Sequence, residues 1–285
     1  MKRTLIALAS VFVLVAGPLA WAAELPIVEP EKVGLSSERL ERIGEVFERE
    51  IDEGRLPGAV VLVARRGEVA YLESFGFRDK DDKAPMEDDA VFRIYSMTKP
   101  LVSVAAMILM EEGRLQLADP VSKFLPEFES MEVSVPLADT YGKLTYETVA
   151  AEGPMTVQDL LRHTAGLAYG ELTGNTAVQE AYAELGVFKP DGLPFEARDV
   201  APEDEIAGLA AVPLIHQPGT VWEYSLASDL LGRMVEAASG MRLGEFLEQR
   251  VFEPLGMADS GFEVPEADLE RLAEPLASDP ATGAP

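Results

Sequence analysis

Apolar residues recur at helical spacing through Leu40, Ile43, Val46, Phe47 and Ile51, behind Ser36 or Ser37 as N-cap and ahead of Gly54 as a stop. That spacing predicts an amphipathic helix. The period then drops to two: "GAVVLVARRGEVAYLESFGF" reads as two β runs around an Arg66-Gly67 turn, a hairpin. A charged loop over 78–90 follows. From Ser96 to Glu112 the chain is almost wholly apolar and Gly113 ends it, predicting a helix buried nearly all round. Further helices are expected at 156–163, around 203–211, at 225–239 and at 243–252, with a long irregular loop from about 165 to 200 bordering a cleft.

This inventory leaves the hairpin short of partners. An isolated hairpin is marginally stable, and the apolar Val60, Leu62 and Tyr71 call for further strands. The pattern predicts none, and the last twenty residues thin into polar, Pro-rich chain. Either the hairpin packs only on helices, or the sequence stops before the sheet is finished.

Composition adds further constraints. Lys2 and Arg3, an apolar run from Leu5 to Gly17 and "AWA" at 20–22 form the layout of a secretory signal, with cleavage expected after Ala22 and residues 23–285 as one mature domain. Export to the periplasm or the medium is the corresponding expectation. There is no cysteine, which excludes disulfides, thiolate chemistry and a lipid-modified N-terminus. The two histidines, His163 and His216, stand apart, so neither a metal centre nor a cofactor is expected. Net charge is −26, and loss of Lys2 and Arg3 would take it to −28, which argues against nucleic acid or an anionic membrane as partner. Acidic residues are so abundant that a pair of carboxylates carries no information about glycosidase chemistry.

Candidate chemistry lies at two helix entries. In "YSMTKP", Ser96 and Lys99 are three residues apart and share one helical face, so the hydroxyl and the amine can meet. A buried helix start would lower the lysine's affinity for its proton, and the helix dipole would favour negative charge near Ser96. Pro100 suits the first turn, where its missing N–H is not needed. The competing reading is Ser96 as an N-cap and Lys99 as a solvated first-turn residue, and the pair alone does not decide between them. At the second entry, "PGTVWEYSLASD" places Tyr224 and Ser225 ahead of an apolar run. A phenol there can pass a proton, or it can simply pack.

Four segments in order, "FRIYSMTKPLVSVAAMILMEEG", "TVQDLLRHTAGL", "PGTVWEYSLASDLLGRMVEAASG" and "FLEQRVFEPLGMADSGF", resemble the serine β-lactamase-like hydrolases. The likeness is closest to the class C β-lactamase-related carboxylesterases, called family VIII. It implies an α/β (α+β) fold with an antiparallel sheet flanked by helices and a large helical region. It also implies Ser96 as acylated nucleophile, Lys99 as its base, Tyr224 as proton relay, and Tyr95, Ser225 and Leu226 as residues near substrate. The expected partner is a small-molecule ester. Where β-lactamases and D-Ala-D-Ala peptidases of this superfamily carry Y-x-N, this chain has Leu226, which looks like the esterase branch. β-Lactamase or peptidase activity, and a non-catalytic penicillin- or peptidoglycan-binding relic, are the rival readings. His163 in "HTAGL" is expected to be structural. There is no G-x-S-x-G elbow. No counterpart of the family's third motif (K-T-G, H-x-G or W-G-G) follows Ser225, which leads to the expectation of a C-terminally shortened chain with half an oxyanion hole and impaired turnover.

Overall fold

The computed structural model describes residues 25–275, apart from 80, 81, 139, 171 and 187–200. The expected signal segment, and part of the expected 165–200 loop, lie outside the described residues.

Helix α1 (Ser37–Asp52) starts where the Ser36 hydroxyl accepts the Arg39 N–H. It lies on a hairpin made of β1 (Gly58–Arg65) and β2 (Glu68–Asp79). Arg66 and Gly67 both have positive φ (58° and 76°), the geometry that lets a two-residue turn follow strand twist. Phe47 stacks on Phe75 at 5.7 Å, and Gly44 leaves room for the same ring. This seats the apolar stripe of the helix on the sheet.

The expectation of a lone hairpin is corrected. A two-residue strand, β3 (Ala84–Pro85), pairs with β2 to make a three-stranded sheet in the order β1-β2-β3. A second hairpin, β4 (Glu132–Ala138) with β5 (Leu144–Ala150), forms a separate sheet. Its 132–134 end is anchored on the core. Val133 and Ser134 are buried, and a parallel bridge joins this end to Leu214 through the bonds Ser134 N–H to Leu214 O (2.7 Å) and Leu214 N–H to Glu132 O (2.8 Å). The stretch near 270 does not simply thin out. A 3₁₀ turn over Glu266–Arg271 leads to Leu272, which bridges Val91, and the Arg271 guanidinium meets Asp259 and Asp268.

The core is helical. α2 (Thr98–Glu111) and α6 (Ala227–Ser239) cross at its centre, burying Val102, Ala105, Ala106 and Leu109 of one and Leu230, Leu231, Met234 and Val235 of the other. Helix α2 is buried on this face rather than all round, since Val104 faces outward. Around the pair lie α3 (Val157–Arg162), α5 (Pro202–Ala211) and α7 (Leu243–Leu247). α7 runs into a π turn over Glu248–Phe252, so the single helix expected at 243–252 is two pieces, and the short α8 (Glu253–Leu255) follows it. α4 (Thr176–Glu184) occupies part of the stretch expected to be irregular, capped by the Asn175 side chain.

Leu109 has no exposed surface, whereas Leu62 on β1 is about half exposed. Leu109→Ala is expected to cost about 2–5 kcal/mol, with Leu62→Ala below about 1 kcal/mol, by urea unfolding.

Candidate active site

Ser96 sits in a 3₁₀ turn, Tyr95–Met97, that runs directly into α2. Tyr95 adopts φ +42°, a left-handed conformation uncommon for a bulky residue. It leaves the Tyr95 ring 64% exposed and Ser96 open to solvent. One turn further on, Lys99 extends back so that its Nζ lies 3.3 Å from Ser96 Oγ. Backbone spacing alone brings these two together.

The third and fourth groups arrive over long loops. The segment 163–169 and the segment 214–226 are joined by backbone bonds from Ile215 N–H to Gly166 O, Gly219 N–H to Thr164 O and Glu223 N–H to His163 O, each 2.8 Å. Gly166 makes this possible. Its φ is +82°, and a Cβ there would sit 2.2 Å from the His216 carbonyl oxygen. Joined in this way, the two loops deliver two phenols. The Tyr224 hydroxyl lies 2.7 Å from Ser96 Oγ, and the Tyr169 hydroxyl accepts from Lys99 Nζ at 3.2 Å. The ammonium also stands 4.8 Å from the Tyr224 ring centre, within cation–π range.

Electrostatics divides the roles. Burial is the largest influence on Lys99 and acts to lower its pKa, but hydrogen bonds from Tyr224 and Tyr169 outweigh it and hold the amine above its ordinary value. Burial pushes Tyr224 up, yet the bonds to Lys99 and Ser96 bring its phenol below the usual tyrosine range. Tyr169 moves the other way, raised by burial and by the Asp229 carboxylate against the pull of Lys99. The resting site is thus a charged amine between two phenols, of which Tyr224, beside Ser96, loses its proton more readily than an ordinary tyrosine.

Ser96, Lys99 and Tyr224 therefore converge. Of the residues expected near substrate, Tyr95 lines a cavity of about 540 Å³ beside Ser96, together with Lys99, Val102, Tyr169, Asp229 and Phe262. Ser225 and Leu226 do not line it, and each is only 1% exposed. Leu226 packs in the core between the two central helices, and the Ser225 hydroxyl faces His163 Nδ1 at 3.3 Å, so neither presents a surface to a ligand. Sequence reasoning missed Tyr169. Its signal was the ending of "HTAGLAYG", where a tyrosine closes a glycine-marked loop. Among the described residues no three acidic or histidine side chains converge as a metal would require.

A beta-lactamase family model matches residues 43–284. The chain belongs to the beta-lactamase family. It is 39% identical to Esterase EstB of Burkholderia gladioli over 234 residues, 82% of this chain and 54% of that protein. It is 32% identical to a lovastatin esterase of Penicillium rubens over 243 residues, 82% of this chain and 56% of that one. Among solved structures, EstCE1, described as a hydrolase with promiscuous acyltransferase activity, superposes with TM-score 0.69 at 32% identity, covering 84% of this chain and 59% of its own. A class C beta-lactamase at 19% identity and TM-score 0.61 shares the fold. The chain spans a little over half the length of these curated relatives.

The left-handed backbone at Tyr95 gives a direct test of this local geometry. Glycine adopts it freely and a β-branched residue resists it. Tyr95→Val is expected to be less stable than Tyr95→Gly by about 1 kcal/mol in urea unfolding, although valine is normally the better residue.

Proposed function

We propose that the protein hydrolyses carboxylic esters in two steps through an acyl-enzyme on Ser96. The observation that carries this is the 2.7 Å contact between the Ser96 and Tyr224 oxygens, with Lys99 Nζ held beside both. In the first step Tyr224, as phenolate, takes the Ser96 proton while Oγ attacks the ester carbonyl carbon. As the tetrahedral adduct collapses, the C–O bond to the alcohol breaks and Tyr224 gives its proton to the leaving oxygen. In the second step a water gives a proton to Tyr224 and its oxygen attacks the acyl carbon. The Ser96 ester bond breaks and Tyr224 returns the proton to Oγ.

Lys99 stays an ammonium throughout and stabilises the phenolate, which differs from the sequence expectation that it is the base. The directions of the two pKa shifts favour this assignment. The names of the relatives support ester chemistry, two as esterases and others as acyltransferases. Simple esters are favoured over β-lactams because residue 226 is an apolar core residue, with no amide side chain at that point to hold a substrate. The N-terminal pattern adds the proposal that this chemistry takes place outside the cytoplasm.

Hydrolysis of p-nitrophenyl butyrate should vanish in Ser96→Ala and fall about 10²–10⁴-fold in Tyr224→Phe. Equal rates in wild type and Ser96→Ala would refute the reading, and nitrocefin turnover faster than ester turnover would move it to the lactamase branch.

The pH profile follows from the same two groups. The rate should rise with pH as Tyr224 loses its proton, at a point below the ordinary tyrosine value. It should fall again only above the ordinary lysine value, where Lys99 loses its charge. Lys99→Met, which removes the cation, should move the rising limb to higher pH.

A further inference from the structure

His163 is half-buried directly behind Tyr224 and takes no part in the steps above. It ends α3 in the left-handed conformation, φ +55°, which turns its ring toward the 222–225 segment. There the ring lies 5.1 Å from the Tyr224 ring and 6.4 Å from that of Trp222. Its Nδ1 accepts the backbone N–H of Ser225, the residue after Tyr224, at 3.3 Å. That bond fixes the lone pair on Nδ1 and the proton on Nε2. The His163 carbonyl accepts the N–H of Glu223, so one residue grips both flanks of Tyr224.

We propose that His163 is a positioning residue that holds the Tyr224 phenol on Ser96, and that it does so only as the neutral Nε2–H imidazole. A second proton would have to go onto Nδ1, where it would face the Ser225 N–H, and the acceptor would be lost. The surroundings oppose that protonation: burial first and then the Lys99 charge hold the imidazole below its ordinary value. No carboxylate offsets this within the site. Asp159, on α3, is bonded to the Thr156 and Thr164 hydroxyls, and Glu223 lies 3.9 Å from His216. Asp229 acts on the two phenols. In acid the imidazolium would therefore release the Ser225 N–H, turn its Nδ1–H to the Ser225 hydroxyl 3.3 Å away, and shift Tyr224 off its 2.7 Å contact.

This inference rests on the ester-hydrolase reading, and Ser96→Ala separates the two. Turnover that survives Ser96→Ala overturns that reading. Turnover abolished in Ser96→Ala but normal in His163→Gly overturns this inference alone. Glycine suits φ +55° and removes the ring, while asparagine tolerates the same backbone and carries an oxygen where Nδ1 was. With p-nitrophenyl butyrate, His163→Gly should lose roughly 100-fold in kcat with KM nearly unchanged, as expected for a displaced group rather than lost binding. His163→Asn should recover most of that loss, and its kcat should keep the rising limb set by Tyr224 while lacking the further fall that the imidazolium adds in the wild type at lower pH. Trp222 emission supplies a reading independent of activity. In the wild type it should change in acid with the same midpoint as the further fall in kcat, and in His163→Asn that transition should be missing. His216 remains in every variant as a common background. An asparagine variant no better than glycine, or one that keeps the further fall at lower pH, would overturn the proposal even if His163→Gly folds poorly.

Discussion

Burying an ammonium is the constraint around which this site is arranged. Lys99 is carried on the apolar central helix, so its charge is partly withdrawn from water and must be repaid by neighbours. The hydroxyl of Tyr169, the face and hydroxyl of Tyr224 and Ser96 Oγ supply that compensation. The same contacts that make the buried cation tolerable lower the phenol pKa and align it with the serine. Stability and reactivity here come from one set of hydrogen bonds, so the site cannot be loosened without uncovering a charge.

The long-range part of the arrangement depends on backbone rather than side chains. Neither tyrosine is near Lys99 in sequence; both reach it because two loops run together as a short ladder, and the ladder closes at Gly166 against the His216 carbonyl. A thin, glycine-dependent joint thus sets a distance of 2.7 Å some way from itself. The helices beneath it are packed firmly enough to make that distance reproducible, since rigid elements hold small catalytic offsets better than loops do.

How much of this was legible beforehand follows from the range of each interaction. The Ser96–Lys99 contact is local, an i to i+3 relation on one helix, and spacing alone allowed it. The role of Tyr224 rested on a family likeness, because 128 residues separate it from Ser96 and no periodicity spans that gap. Tyr169 went unnoticed since its function is defined only by the partner it meets. The hairpin of β4 and β5 escaped for a different reason. Most of β5 faces solvent, so "LTYETVA" lacks the buried alternation that marks a strand, and Pro136 interrupts its partner. Leu226 erred the other way: a motif position suggested contact with substrate, and packing placed it in the core.

Charge shows the same separation of scales. The chain carries −26 overall, yet the charges lining the cavity beside Ser96 are matched in sign: Glu205, Asp229 and Glu236 against Lys99, Arg233 and Arg242. Arg233 binds Glu205 at 2.8 Å and Glu236 at 3.0 Å, and Arg242 reaches Glu236 at 3.5 Å. The acidic surface therefore acts at a distance, on what approaches, while the cavity itself presents paired charges and an apolar wall of Val102, Leu243 and Phe262. Such a lining discriminates weakly by charge and more by shape. If the protein cleaves esters as proposed, an uncharged acyl chain would enter it without stripping a counter-ion from any wall, whereas an anionic one would have to pass a surface of its own sign and would find Arg233 and Arg242 already engaged.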